Sequence, residues 1–336
     1  MSDRRRSRVK TFAGVAVSVV LAAVAAWVLW HTFRRIQLAD VLKHMRAVPW
    51  HTLAVAALCA AGAFTALATY EVVLVKYVKG AIGRAKPMVT ALIAFPLGHA
   101  IGQAMLSGGA LRYRMYTPAG FSATEVGAAV LLANMPYALA FGWLMDLSLL
   151  LASHRLAPLF RVSSHWLMLI GAVGLIKDVG YLLLVLLRRR PVRLGGWAVN
   201  LPTPWMTLLQ YVVGIIDVCL VSNVLYLLLP TSAGLAYLPF LAVYLASLLA
   251  GVLSHVPAGL GVLESVLLLL LPDVPPDQLL AAVLMYRVIY EIIPVLCALV
   301  LWFVFEGFSR DGVRLRLFSR YTRFTRAGRP TIDNKE

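Results

Sequence analysis

Residues 254–294 read SHVPAGLGVLESVLLLLLPDVPPDQLLAAVLMYRVIYEIIP. Pro257, Gly259, Gly261 and Glu264 interrupt a segment otherwise apolar enough for a bilayer. Tyr286, Arg287, Tyr290, Glu291 and Pro294 punctuate a second such segment. A lipid-facing helix has no use for a Pro-x-Gly-x-Gly break, because every freed backbone amide must find a partner where water is absent. Broken backbone at membrane depth survives only when buried in protein or lining a polar cavity. The run therefore reads as half of a translocation site.

Composition sets the surroundings of that site. The 336 residues are 61% hydrophobic and 14% charged, with mean hydropathy +0.82, whereas a soluble domain is about a quarter charged. The expected fold is all-α, a polytopic integral membrane helix bundle of about six to eight spans with broken or re-entrant helices. Net charge is +16, which invites a nucleic-acid reading, but the basic residues form short clusters between apolar runs. That distribution suits the positive-inside rule and anionic headgroups, so the expected partners are membrane and phospholipid, with no nucleic acid. Cys59, Cys219 and Cys297 are scattered through apolar runs and read as buried thiols rather than metal ligands. No HExxH, paired CxxC, P-loop or nucleophile–base grouping occurs, so no cofactor, hydrolysis or ATP use is expected.

The chain divides into a basic cytoplasmic N-terminus (1–10), a membrane domain (11–306) and a basic cytoplasmic tail (307–336). The apolar stretch from residue 11 runs too far past Ala23-Val24-Ala25 for a cleaved signal peptide and predicts an uncleaved first span at 11–33. An interfacial helix follows at 36–46; the positive charges it carries on the outer surface go against the inside rule. Spans are predicted at 50–75, 122–151, 165–187, 203–229 and 278–306. Residues 88–111, broken by Pro96, Gly98, Gly102, Gly108 and Gly109, are expected to re-enter from the cytoplasm. A full span there would put Arg188, Arg189 and Arg190 outside the cell. Residues 238–271 form two spans or one hairpin from the outside, hinged near Pro257. Both termini then face the cytoplasm, and two breaks entering from opposite faces suit an inverted repeat.

Ionisable residues inside spans cost roughly 2.5–3.5 kcal/mol on insertion scales and are functional candidates by default. Asp217 shares a face with Gln210 and Gly214. Lys177 and Asp178 are neighbours on one helix, and adjacent residues do not face each other, so Lys177 needs a partner elsewhere, with Asp146 and Asp217 as candidates. Gly171, Gly174, Asp178 and Tyr181 lie on one stripe suited to close packing. Arg287 and Glu291 are four apart, as are Tyr286 and Tyr290, and a cavity-facing guanidinium suits phosphate. Glu264 either caps amides freed by the break or meets a cationic headgroup. Gly108 and Gly109 would let backbone approach an anion, with Arg112, Tyr113 and Arg114 beside them; interfacial snorkelling is the other reading. His99 and His255 read as structural, hydrogen-bonded histidines.

The segments SGGALRYRMYTPAGFSATEV, GYLLLVLLRRRPVRLGGW, IIDVCLVSNVLYLLLP and HVPAGLGVLESVLL with LLAAVLMYRVIYEIIPVL resemble the membrane flippase domain of bacterial lysylphosphatidylglycerol flippase/synthetases and their stand-alone inner-membrane relatives. The resemblance covers most of residues 88–306. It implies a multi-pass inner-membrane protein that moves phosphatidylglycerol or its aminoacylated form between leaflets. In the bifunctional members, display of that lipid lowers negative surface charge and protects against cationic peptides. Those proteins continue into a cytoplasmic aminoacyl-tRNA-dependent transferase domain, whereas this sequence stops at Glu336. A transporter rather than an enzyme is therefore expected. The competing expectations are a membrane-embedded headgroup transferase and a scaffold for a separate lipid-modifying enzyme; a homo-oligomer is compatible with each.

Overall fold

A computed structural model of the chain describes residues 38–80, 83–101, 104–187, 192–194, 197–199, 202–230 and 234–310. The expected span at 11–33, the N-terminus at 1–10 and nearly all of the 307–336 tail lie outside the described residues. The elements are α1 (Leu38–Ala47), α2 (Trp50–Lys79), α3 (Ala85–Ile101), α4 (Ala104–Tyr116), α5 (Ala123–Leu151), α6 (Ser153–Phe160), α7 (Ser164–Leu187), α8 (Pro204–Leu228), α9 (Tyr237–Ser254), α10 (Val262–Leu270), α11 (Pro276–Tyr286) and α12 (Ile293–Arg310). Between α7 and α8 lies an antiparallel pair, β1 (Val192–Leu194) and β2 (Trp197–Val199), in which Val192 faces Val199. A polytopic all-α membrane bundle is the result. Six of its described helical stretches are long and apolar enough to cross a bilayer.

Local chemistry explains where the long helices begin and end. Ser122 accepts the Glu125 amide while the Glu125 carboxylate accepts the Ser122 amide at 2.7 Å, a reciprocal cap at the start of α5. Thr203 caps α8, with Pro204 following it. Gly80, at φ 88°, ends α2 in a conformation other residues resist. Exposed Leu, Ile, Val and Trp dominate α7, including Trp166, Ile170, Val173, Ile176 and Leu187. Only lipid makes such a helix stable.

The two broken segments are both hairpins. α3 and α4 pack against each other, and Ser107 Oγ donates to Gly98 O at 3.0 Å across them. At 17 and 13 residues they rise about 25 and 20 Å, short of a bilayer crossing. α9 packs against α10, whose nine residues rise only about 14 Å. Residues 238–271 thus pair α9, long and apolar enough to cross a bilayer, with α10, which is not.

Three contacts order the faces. Thr203 N donates to Tyr77 Oη at 3.3 Å, and Lys79 pairs with Glu125 at 2.8 Å. The end of α2 and the starts of α5 and α8 therefore share one face, where the α3–α4 hairpin also begins and ends. On the opposite face His44 of α1 meets Asp277 of α11 at 2.8 Å, and Tyr226 Oη donates to Leu235 O at 2.8 Å. The α9–α10 hairpin enters from there. The turn Pro257–Gly259 reaches α3, which also touches the π-helical segment Arg287–Ile292. Two hairpins from opposite faces thus meet inside the bundle, as an inverted repeat would arrange them.

Candidate functional site

The break after α9 is built from left-handed backbone. His255, Ala258, Gly259 and Gly261 have φ of 55°, 52°, 58° and 81°. Ala258 is not a glycine, and strain of this kind collects at functional sites. Gly259 packs on Gly251 closely enough that an added Cβ would sit 3.4 Å from its Cα. Glu264 caps an amide freed by the break and also pairs with a side chain. Its Oε2 accepts the Gly261 amide at 2.9 Å, and its Oε1 accepts Arg287 Nε at 2.6 Å.

Arg287 opens the π-helical segment. Pro294 has no N–H, so the α-helical bond to Tyr290 O is missing, and the Ile293 amide bonds to Val288 O five residues back. The buried guanidinium donates from Nη1 to Glu291 at 2.8 and 3.1 Å and to Ala258 O at 3.3 Å. Its Nη2 is buried with no partner. Two carboxylates around one guanidinium leave a net charge of −1. Next to this cluster, Phe64, Tyr290 and Tyr286 stack in sequence, with centroids 5.3 and 5.7 Å apart, and Tyr286 Oη lies 2.9 Å from Tyr244 Oη. Asp217 on α8 is 5% exposed, its Oδ1 lacks a partner, and Tyr137 and Tyr290 are within its electrostatic reach. The predicted residues Pro257, Gly259, Gly261, Glu264, Tyr286, Arg287, Tyr290, Glu291 and Asp217 therefore surround one region.

The other predicted residues lie elsewhere. Gly108 and Gly109 are inside α4, so their amides are committed to the helix. Gly108 instead lets α4 approach Ala94, whose carbonyl oxygen would lie 3.1 Å from an added Cβ, and Gly109 packs on Val130. These glycines serve packing, which corrects the anion-approach reading. Arg112 is fully buried. Its Nε and Nη2 donate to Glu71 Oε1 and Oε2, both at 2.9 Å, Tyr116 Oη adds a 2.8 Å bond to Oε1, and Phe95 stacks beneath at 4.6 Å. With its charge matched by Glu71, Arg112 fastens the hairpin to α2 and has no vacancy for phosphate. Arg114 lies over Trp302 at 5.2 Å, and Tyr113 is exposed.

Lys177 bridges Asp146 at 3.4 Å and Asp178 at 3.3 Å. The bond to Asp178 corrects the expectation for adjacent residues, since the long Lys stem folds back over its own backbone. Asp146 sits where a Gly174 Cβ would be, 2.1 Å away, so the glycine stripe does give α5 and α7 their close approach. Asp178 faces Tyr211 rather than Asp217, six residues and about 9 Å apart along α8. His99 and His255 bond their own local carbonyls at 3.0 Å, as structural histidines do. The three cysteines are unpaired, with Cys297 exposed. Glu71 was overlooked in the sequence. An acid in an apolar run was the available signal.

A polytopic helical membrane protein with one buried ion pair fastening α4 to α2 and another beside the break after α9 is the class that fold and site define. The uncharacterized protein slr0712 of Synechocystis is 30% identical over 229 residues, 68% of this chain and 71% of that one. The chain belongs to the same family as that protein. It is 29% identical over 207 residues to the Escherichia coli inner membrane protein YbhN, covering 59% of this chain and 62% of that one. The phosphatidylglycerol lysyltransferase of Staphylococcus haemolyticus is 22% identical over 308 residues, 90% of this chain. This chain spans about a third of that enzyme's length, 35%. No family model matches the chain.

Proposed function

We propose that the protein is a phospholipid translocase of the bacterial inner membrane, carrying a phosphatidylglycerol-type or aminoacylated headgroup between leaflets. What carries the reading is a pair of buried side chains, Arg287 beside the strained, half-buried break and Asp217 on α8, whose Nη2 and Oδ1 both lack partners. An orphaned buried polar atom costs about 1–3 kcal/mol; a headgroup carrying an ammonium would offset the net negative charge that Glu264 and Glu291 leave around Arg287 and meet the Asp217 carboxylate, while one phosphate oxygen accepts from Arg287 Nη2. The aromatic residues beside Asp217 suit an ammonium group. The inner-membrane name of the Escherichia coli relative and the phosphatidylglycerol chemistry named for the staphylococcal relative support the compartment and the lipid class. In this reading the protein moves lipid without modifying it.

The test is a leaflet-resolved assay in proteoliposomes with labelled phosphatidylglycerol. Asp217→Asn and Arg287→Lys keep shape and folding while altering the two orphaned groups. Translocation is expected to fall at least tenfold in each. Unchanged rates in both, or a new lipid product made by purified protein, would overturn the proposal.

A further inference from the structure

A second set of orphaned polar atoms lies in the seam between α7 and α8. Asp178 is 5% exposed and its Oδ2 has no partner. Facing it from α8, Tyr211 Oη is also buried without a partner in a residue 5% exposed, and the Thr207 hydroxyl, in a residue 1% exposed, has only Tyr181 within hydrogen-bonding reach, which leaves a lone pair open. Tyr211 lies within electrostatic reach of Asp178 and Tyr181, and Tyr181 lies beside Thr207. The local charge does not close either. Asp146 and Asp178 share the single ammonium of Lys177, which leaves one negative charge unbalanced among the described residues. Gly171 and Gly174 bring α5 against α7 so tightly that an added Cβ would strike Asp146 at 2.5 Å and 2.1 Å.

We propose that this seam binds one dehydrated monovalent cation of sodium type, held by Asp178 Oδ2, Tyr211 Oη and Thr207 Oγ1. Hard oxygen donors suit alkali and alkaline-earth ions rather than soft metals. The charge selects between those two groups. One positive charge brings Asp146, Asp178 and Lys177 to neutrality, whereas a divalent ion would leave an excess of +1, and calcium takes about 6–8 oxygen ligands where this seam offers three. The site is separate from the Arg287 region and does not depend on the lipid reading.

The experiment measures the thermal unfolding of purified full-length protein in detergent at constant ionic strength, in sodium, potassium or N-methylglucamine chloride. Sodium is expected to raise Tm saturably, on the order of 5 °C at a hundredfold excess over Kd. Asp178→Asn and, independently, Tyr211→Phe should abolish that increment, while radiolabelled sodium binding falls to background in both. A Tm indifferent to the cation overturns the site, as does a sodium response retained in both variants. A Tm that follows pH but not sodium would mean the missing charge is a proton, and would overturn it as well. Lipid translocation is read in a separate assay, so either proposal can fail alone.

Discussion

Removing one member of a buried ion pair is a different experiment from removing both. Glu71 neutralises Arg112 where neither is exposed, 0% and 2%. Glu71→Ala therefore strands a guanidinium in the bundle and should cost about 3–5 kcal/mol. Replacing both, as Glu71→Leu with Arg112→Met, removes charge and desolvation together and should cost much less. Denaturant unfolding of the three proteins in detergent decides the matter. Equal losses in the single and double variants would show that the pair is not the source of the effect. Tyr116→Phe removes only the third bond and should cost about 1 kcal/mol. The glycines before Arg112 drew attention to it but not to its role, because an ion pair across 41 positions leaves no local pattern at either end.

Between helices, close approach is set by single glycines. An added Cβ at Gly214 of α8 would lie 2.0 Å from Pro136 O on α5. Gly214→Ala should force α5 and α8 apart and lower Tm markedly, whereas Gly127→Ala, on the same α5 with nothing within 4 Å, should leave it level or slightly raised. A tolerated Gly214→Ala would mean the α5–α8 seam is looser than described. The stripe logic that placed Gly171, Gly174 and Gly214 on packed faces rests on the 3.6-residue repeat and was readable in advance. Gly108 was misread because a paired glycine suits both an anion-binding turn and a helix crossing, and only the neighbouring helix separates them.

The whole bundle carries a testable polarity. Lys76, Lys79, Arg84, Lys86 and Arg114 gather at the face where α2 ends and α5 and α8 begin. The positive-inside rule predicts that this face is cytoplasmic. Cysteines introduced at Arg84 and Thr203 should be labelled by impermeant maleimide only from the cytoplasmic side, and cysteines at Arg161 and Asp273 only from the other. Mixed labelling within either pair would refute the two-faced arrangement.

Hydropathy and backbone chemistry act over a few residues, so the membrane class, the helix positions and the breaks at Pro257 and Gly261 were all present in the order of amino acids. The partners of the buried charges were not. Glu71 meets Arg112 across 41 positions, Glu264 meets Arg287 across 23, and Lys177 divides itself between Asp146 and Asp178. A charge inside lipid announces that it must be matched, but which helix supplies the match depends on how the helices are stacked, and no local pattern encodes that distance.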